Sequence, residues 1–329
     1  MPPPTSDLFA VQEINHAGRG VVASDSIHPD TVVYQSTPPA AHVVFRQYRQ
    51  EVCADCFFYD RGQPCHEQWR AKQGAVGLEA WTKLHDFIQS KSKSITNNHS
   101  LPSLTPKPDE DEVRRTWEAA GQTAMSLRQS RASTAESETI LRRTAANSAW
   151  PQVVDPDILS YLLSGCLYHN KEVASYMADV AELEMDTMPY RSTPDLQAHS
   201  NSYIQLTACA PGELLSSVTE SVCQTLISAA SHNSFGIHAG STDGDEYLGY
   251  GLYPGASYFN HSCRPNIRKQ RVGAGWEFRA SKGITPGEQC CITYLGGDEE
   301  VCTVTERRSR LKVHWGFTCA CKQCVEEAG

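Results

Sequence analysis

The chain has 329 residues, 40% of them apolar, and a formal charge of −9. That length allows one large or two ordinary domains around a sizeable core, and the acidic balance argues against general nucleic-acid binding through phosphate neutralisation. The longest apolar run, ILSYLLSGCLY at 158–168, is too short to span a bilayer. The opening MPPPTSDLFA lacks the basic and apolar regions of a signal peptide, so the 13 cysteines are expected in a reducing compartment, where clustered thiols favour metal over disulfides.

In chain order, GRGVVASDSIHPDTVVYQ (18–35) alternates β-branched runs with Gly and Pro and predicts strands joined by turns. A cysteine-containing segment follows from Val52 to Trp69, then a polar stretch at 90–112 reads as a linker or disordered insert. Residues 113–147 permit helix but are weakly amphipathic, which places them outside the core. Asp155-Pro156 supplies an N-cap and N1 pair for a helix carrying Ile158, Leu159, Leu162, Leu163 and Cys166. A second helix is expected from Pro211 to Ala230, with Leu214, Leu215, Val218, Val222, Leu226 and Ile227 as its core stripe. Residues 275–295 hold two β-rich runs around a Gly/Pro turn, and 305–317 a short basic helix. The class is α+β, β-rich at both ends with a helical middle.

TCACKQC places Cys319, Cys321 and Cys324 within six residues. Three thiolates so close can converge on tetrahedral zinc, which needs a fourth ligand. Cys263, in YFNHSCRPN (258–266), is the expected donor, and Asn260 and His261 would then face a pocket walled by the metal. A thiol hydrolase using Cys263 and His261 is the competing reading, although no oriented base or oxyanion donors are recognisable.

Five ordered pieces resemble the SET-domain protein-lysine methyltransferases, in particular the subgroup with SET and MYND domains and its fungal members. They are GRG (18–20), HNSFGI (232–237), GLYPGASYFNHSCRPN (251–266), GEQCCITYL (287–295) and WGFTCACKQC (315–324). The resemblance implies a β-rich SET fold of small curved sheets, with the NHSC segment threaded beneath a later loop. Residues 1–50 and 231–318 would be its two halves. Between them would lie a MYND-like zinc segment (51–89), a partly disordered linker (90–150) and a helical subdomain (151–230), with a post-SET zinc motif at 319–329.

The resemblance also implies S-adenosylmethionine as cofactor, held by Gly18, Arg19, Gly20, Asn233, Asn260, His261 and Tyr294, with Phe317 under the adenine. Tyr294 would stand at the methyl-transfer centre and Trp315 in the lysine channel. Taken singly, these residues have packing or turn-bracing readings; their joint occurrence carries the site. The implied activity is lysine N-methylation of a histone or non-histone protein or peptide, in the nucleus or cytoplasm, with no membrane or direct nucleic-acid partner. A catalytically silent SET/MYND scaffold is the alternative. The MYND-like segment departs from the family pattern. It offers Cys53, Cys56 and Cys65, with His66 adjacent and His85 as a further donor, too few for two zinc ions, so its metal binding is left open.

Overall fold

Strands from the two ends of the chain share the same sheets. The computed structural model describes residues 3–15, 17–59, 63–91, 106–133, 153–240 and 246–328. Strands β1 (Phe9–Ile14) and β2 (Gly18–Ala23) form an antiparallel hairpin. Strand β3 (Val32–Gln35) pairs with β8 (Gly275–Ala280), which pairs with β7 (Ile267–Val272). Strand β4 (Ala41–Val44) pairs with β6 (Tyr247–Leu252), which pairs with β5 (Ser234–His238). Side chains from both ends meet in one apolar core, where the Phe259 and Phe278 rings stack at 4.5 Å beside Tyr34, Val21 and Ile292.

The expected second β run at 287–295 does not become a regular strand. It touches its neighbours by single bridges, Val22 to Gln289 and His261 to Ile292. The reason is Asn266, whose buried side chain takes the place of a ladder partner. Its Oδ1 accepts from Cys291 N at 2.8 Å and its Nδ2 donates to Gln289 O at 2.9 Å. The 287–293 segment therefore lies between β2, through Cys290 N to Val21 O, and the 260–267 stretch, through Ile267 N to Cys291 O.

The helical middle comprises α1 (Gln63–Ser90), α2 (Glu110–Ser133), α3 (Pro156–Lys171), α4 (Val173–Asp179), α5 (Thr193–Cys209) and α6 (Glu220–Asn233). Asp155 caps α3 as expected, accepting from Asp157 N and Ile158 N at 3.0 Å. Helix α6 starts later than expected. Thr219 caps it by accepting from Val222 N at 3.2 Å, and only a short 3₁₀ turn, Gly212–Leu214, precedes it. The predicted stripe is still buried, because Leu214, Val218, Val222 and Leu226 face one core from both elements.

Helix α2 overturns the expectation that residues 113–147 avoid the core. Trp117, Ala120, Ala124 and Leu127 are buried at three- and four-residue spacing, and Trp117 Nε1 donates to the Tyr190 hydroxyl at 2.7 Å. Two alanines give this face little hydrophobic signal, and the rest of the helix is charged. Arg131 on that helix caps the carbonyls ending α5, donating to Thr207 O at 2.6 Å and Ala210 O at 2.7 Å. The remainder of the two predicted segments, 92–105 and 134–147, lies outside the described residues.

Trp117→Ala should cost about 3–5 kcal/mol in urea unfolding, as for other large buried side chains. A loss within about 0.5 kcal/mol would return this helix to the surface.

Candidate active site

The NHSC segment is placed by Ala256–Tyr258, a 3₁₀ turn that ends at Phe259. From there Asn260 Nδ2 donates to Arg19 O at 3.2 Å, fixing the amide against the first residues of β2. Gly20 is required at this contact: a Cβ there would stand 2.6 Å from Asn260 Nδ2 and 2.6 Å from Gln289 Nε2. Gly18 has φ of 63°, the left-handed region that opens the hairpin into β2. Arg19 borders the cleft, donating to the Tyr258 hydroxyl at 3.2 Å and to Glu182 O.

His261 has both ring nitrogens committed inside the protein. Nδ1 accepts from Tyr294 N at 3.1 Å, and Nε2 lies 3.3 Å from Cys263 Sγ. A nitrogen that accepts from an N–H carries no proton, so Nε2 bears it and donates to sulfur. Burial pushes the imidazole down to about 4, which keeps this neutral form. What His261 offers the cleft is its ring surface, not a free nitrogen. The same assignment disposes of the thiol-hydrolase reading. Nε2 has no lone pair with which to take a proton from Cys263, and Cys263 is 4% exposed.

Cys263, Cys319, Cys321 and Cys324 come together as expected, their sulfurs all within 4.8 Å of one another. Cys263 Sγ is 3.5 Å from Cys324 Sγ and 3.9 Å from Cys319 Sγ. Four thiols at this separation fit the donor set of a structural zinc ion. Helix α7 (Val304–Trp315) and the left-handed Gly316 deliver the tail to this point, and helix α8 (Lys322–Ala328) follows it.

Two clefts meet beside Tyr294. The larger, about 880 Å³, is lined by Gly18, Arg19, Asn233, Asn260, His261, Tyr294, Trp315 and Phe317, so all the predicted cofactor and channel residues border it except Gly20, which shapes it from behind. The smaller, about 310 Å³, is bordered by Phe235, Lys269, Thr293 and Leu295 and shares His232, Ser257, Tyr294 and Trp315 with the first. Tyr294 packs at 5.4 Å from Trp315 and edge-on at 6.4 Å from Phe317, and its hydroxyl donates to Phe259 O at 3.0 Å. Burial raises the phenol above its ordinary value, so it stays protonated. Asn233 Nδ2 donates to Glu184 O at 2.8 Å and Ala229 O at 2.9 Å, which brings the helical insertion to the cleft wall.

Sequence reasoning missed Gln289, His232 and Ser257. Gln289 Nε2 is buried without a partner and borders the larger cleft, and the only signal for it was its place in GEQCCITYL. In the MYND-like segment, Cys53, Cys56 and Cys65 gather within 4.8 Å; neither His66 nor His85 joins them among the described residues. Among the described residues, three donors gather here, one fewer than a tetrahedral ion takes.

A family model described as SET domain matches residues 18–295. The chain is 44% identical over 97 residues to the potential protein lysine methyltransferase SET6 of Saccharomyces cerevisiae, covering 29% of this chain and 26% of that protein. It is 36% identical over 92 residues to the Dictyostelium discoideum SET and MYND domain-containing protein DDB_G0273589, 28% of this chain and 22% of the relative. Against the human N-lysine methyltransferase SMYD2 it is 33% identical over 79 residues, 24% of this chain and 18% of the relative. The solved SET domain of LSMT bound to lysine and AdoHcy matches 96% of this chain and 54% of that one at 14% identity, with a TM-score of 0.30, too low to carry an argument.

In the metal-free reduced protein the tail thiols differ sharply in acidity. Hydrogen bonds from the Cys319 thiol and the backbone N–H groups of Cys324 and Cys263 lower Cys321, while burial raises Cys263. Cys321, the more acidic and the less buried of the two, should therefore be alkylated by iodoacetamide before Cys263, because a thiolate reacts and a thiol does not. Peptide mass spectrometry finding Cys263 labelled first would reverse the assignment.

Proposed function

Because the chain belongs to the SET domain family, we propose that it is a protein-lysine N-methyltransferase using S-adenosylmethionine, with a structural zinc ion on Cys263, Cys319, Cys321 and Cys324. The observation that supports this reading most is the junction of two clefts at one tyrosine. Methyl transfer needs donor and acceptor to enter from different sides and meet in line. A thiol hydrolase or a silent scaffold would need neither the second cleft nor the shared wall of Tyr294 and Trp315.

The larger cleft fits the cofactor on two grounds. The buried, unpartnered Gln289 Nε2 points to a missing acceptor, and the volume of about 880 Å³ suits a nucleoside-sized ligand. Asn260, Asn233 and the Gly18–Gly20 backbone would hold its polar parts, with Phe317 against its ring. When bound, it supplies an electrophilic methyl group on a cationic sulfur.

The chain's own residues do the rest by positioning and desolvation. A free lysine amine has a pKa of about 10.4 and must be neutral to attack. The smaller cleft is walled near Tyr294 by Phe235, Ile292, Leu295 and Trp315, and an amine entering it loses hydration, which favours the neutral form. The displaced proton leaves to solvent through the open cleft. Tyr294 already donates its hydroxyl proton to Phe259 O, so its oxygen meets the substrate as an acceptor. It can orient an amine N–H and stabilise charge at the transferring carbon without acting as a base.

Protein or peptide lysines are the substrates under this reading, histones among them, and the workplace is the nucleus, the cytoplasm or both. No described helix is long and apolar enough to cross a membrane. At Cys53, Cys56 and Cys65 zinc would need a fourth ligand beyond these three thiols to complete its shell.

The test is incubation of the purified protein with methyl-labelled cofactor and whole-cell extract, followed by identification of labelled lysines. Tyr294→Phe should lower kcat about a hundredfold, the effect of removing one oriented polar group at a reacting centre. Calorimetric cofactor affinity should stay within about threefold. An equal loss in both would make Tyr294 a binding residue, and label appearing on no lysine would end the reading.

A further inference from the structure

We propose that Arg307 is the charge-balancing residue of the tail thiol cluster, a buried guanidinium that offsets the negative charge the four sulfurs carry when they hold a divalent metal. This rests on the zinc reading above and adds to it a partner outside the four ligands. Arg307 belongs to α7 and is 2% exposed. Its Nη1 donates to Cys302 O at 2.6 Å and approaches Glu299 O at 3.4 Å, while Nη2 reaches Cys324 Sγ at 3.8 Å and pairs with Glu327.

The electrostatic need is plain. Four thiolates around a dication leave two negative charges in excess, and Cys263, Cys319 and Cys324 are buried. Uncompensated buried charge is strongly unfavourable. A guanidinium is the side chain suited to the task, since it keeps its proton under burial and spreads its charge over several donors. A simple ion pair with Glu327 does not account for the burial, because that carboxylate is 36% exposed while the guanidinium is 2% exposed. The neighbouring arginine has a different function. Arg308 donates to Cys319 O and Cys324 O, each at 3.1 Å, and so braces the main chain of the tail. Arg264 and Lys322 pair with Glu326 on the surface. Among these cations only Arg307 reaches a sulfur.

Charge balance and mere packing predict different results. The full chain is loaded with zinc, and zinc release to excess 4-(2-pyridylazo)resorcinol is timed for wild type, Arg307→Met and Arg307→Lys. The same proteins loaded with cobalt(II) report thiolate-to-metal charge transfer in the near ultraviolet. Arg307→Met should release zinc about tenfold faster or more, the usual scale for losing a partner of the ligand shell, and its charge-transfer band should move to lower energy. Arg307→Lys keeps the charge, because the anionic sulfurs and Glu327 hold its ammonium protonated, and should stay close to wild type in both. A folded Arg307→Met matching wild type in release and band would overturn the proposal, as would a Lys variant shifted as far as the Met one. If Arg307→Met does not fold, the Lys variant decides alone: a wild-type band supports charge balance and a shifted band refutes it. Metal content separates the two layers. Cys263→Ser should lose one zinc per chain relative to wild type. Equal zinc in the two would sink the zinc reading and this inference together, while a loss in Cys263→Ser with inert Arg307 variants would sink this inference alone.

Discussion

One imidazole joins the tail thiols to the tyrosine between the clefts. Because Tyr294 N–H occupies Nδ1 of His261, the proton must sit on Nε2, and that proton points at Cys263 Sγ. The constraint runs in both directions. A sulfur held in the cluster fixes the ring, and the fixed ring holds the main chain of Tyr294. Two aromatic side chains then arrive from the same tail, Trp315 against the Tyr294 ring at 5.4 Å and Phe317 at 6.3 Å from the His261 ring. The site is thus held from the side of the thiol cluster, and residues 315–322 are a wall of the larger cleft.

The rest of the fold brings distant segments to that point. Pairing of β3 with β8 and of β4 with β6 fuses the first fifty residues to the last hundred, and this sets Arg19 and Gly20 beside Asn260. Asn266 performs the analogous task for the loop, replacing ladder hydrogen bonds with side-chain ones so that 287–293 can run between two neighbours without being a strand. The YFNHSCRPN segment is accordingly a compact set of connectors: Asn260 to the first glycines, His261 to Tyr294, Cys263 to the tail, Asn266 to the loop.

Much of this was legible in sequence wherever a residue type is demanded by a specific contact. The thiols, the amides and the glycines of the cleft have few chemical substitutes, and their spacing survives in the linear text. What was illegible depended on partners. Helix α2 buries small residues beside one tryptophan, so its stripe is faint until Tyr190 and Tyr203 stand opposite it. Leu214 and Val218 keep helical spacing with α6 although a 3₁₀ turn and a cap intervene, because burial records which side faces the core and not whether the chain is continuous helix. Gln289 could not be singled out because its meaning lies in having no partner.

The helical insertion is part of the site and not an appendage to it. Glu182 O receives the Arg19 guanidinium, Glu184 O receives the Asn233 amide, and Leu183 borders the larger cleft between them. Both acceptors are main-chain carbonyls on the loop after α4, and that loop is held by Asp186, which accepts from Met188 N at 2.9 Å and from Ser231 Oγ at 2.7 Å on α6. A carbonyl can accept a hydrogen bond from any donor, so this wall is specified by the path of the loop and not by its side chains. The helices set that path. Their core, anchored by Leu162, Leu196 and Leu226, therefore stabilises the cleft at one remove, and the β-rich ends alone would leave Asn233 without its acceptors and Arg19 with only the Tyr258 hydroxyl.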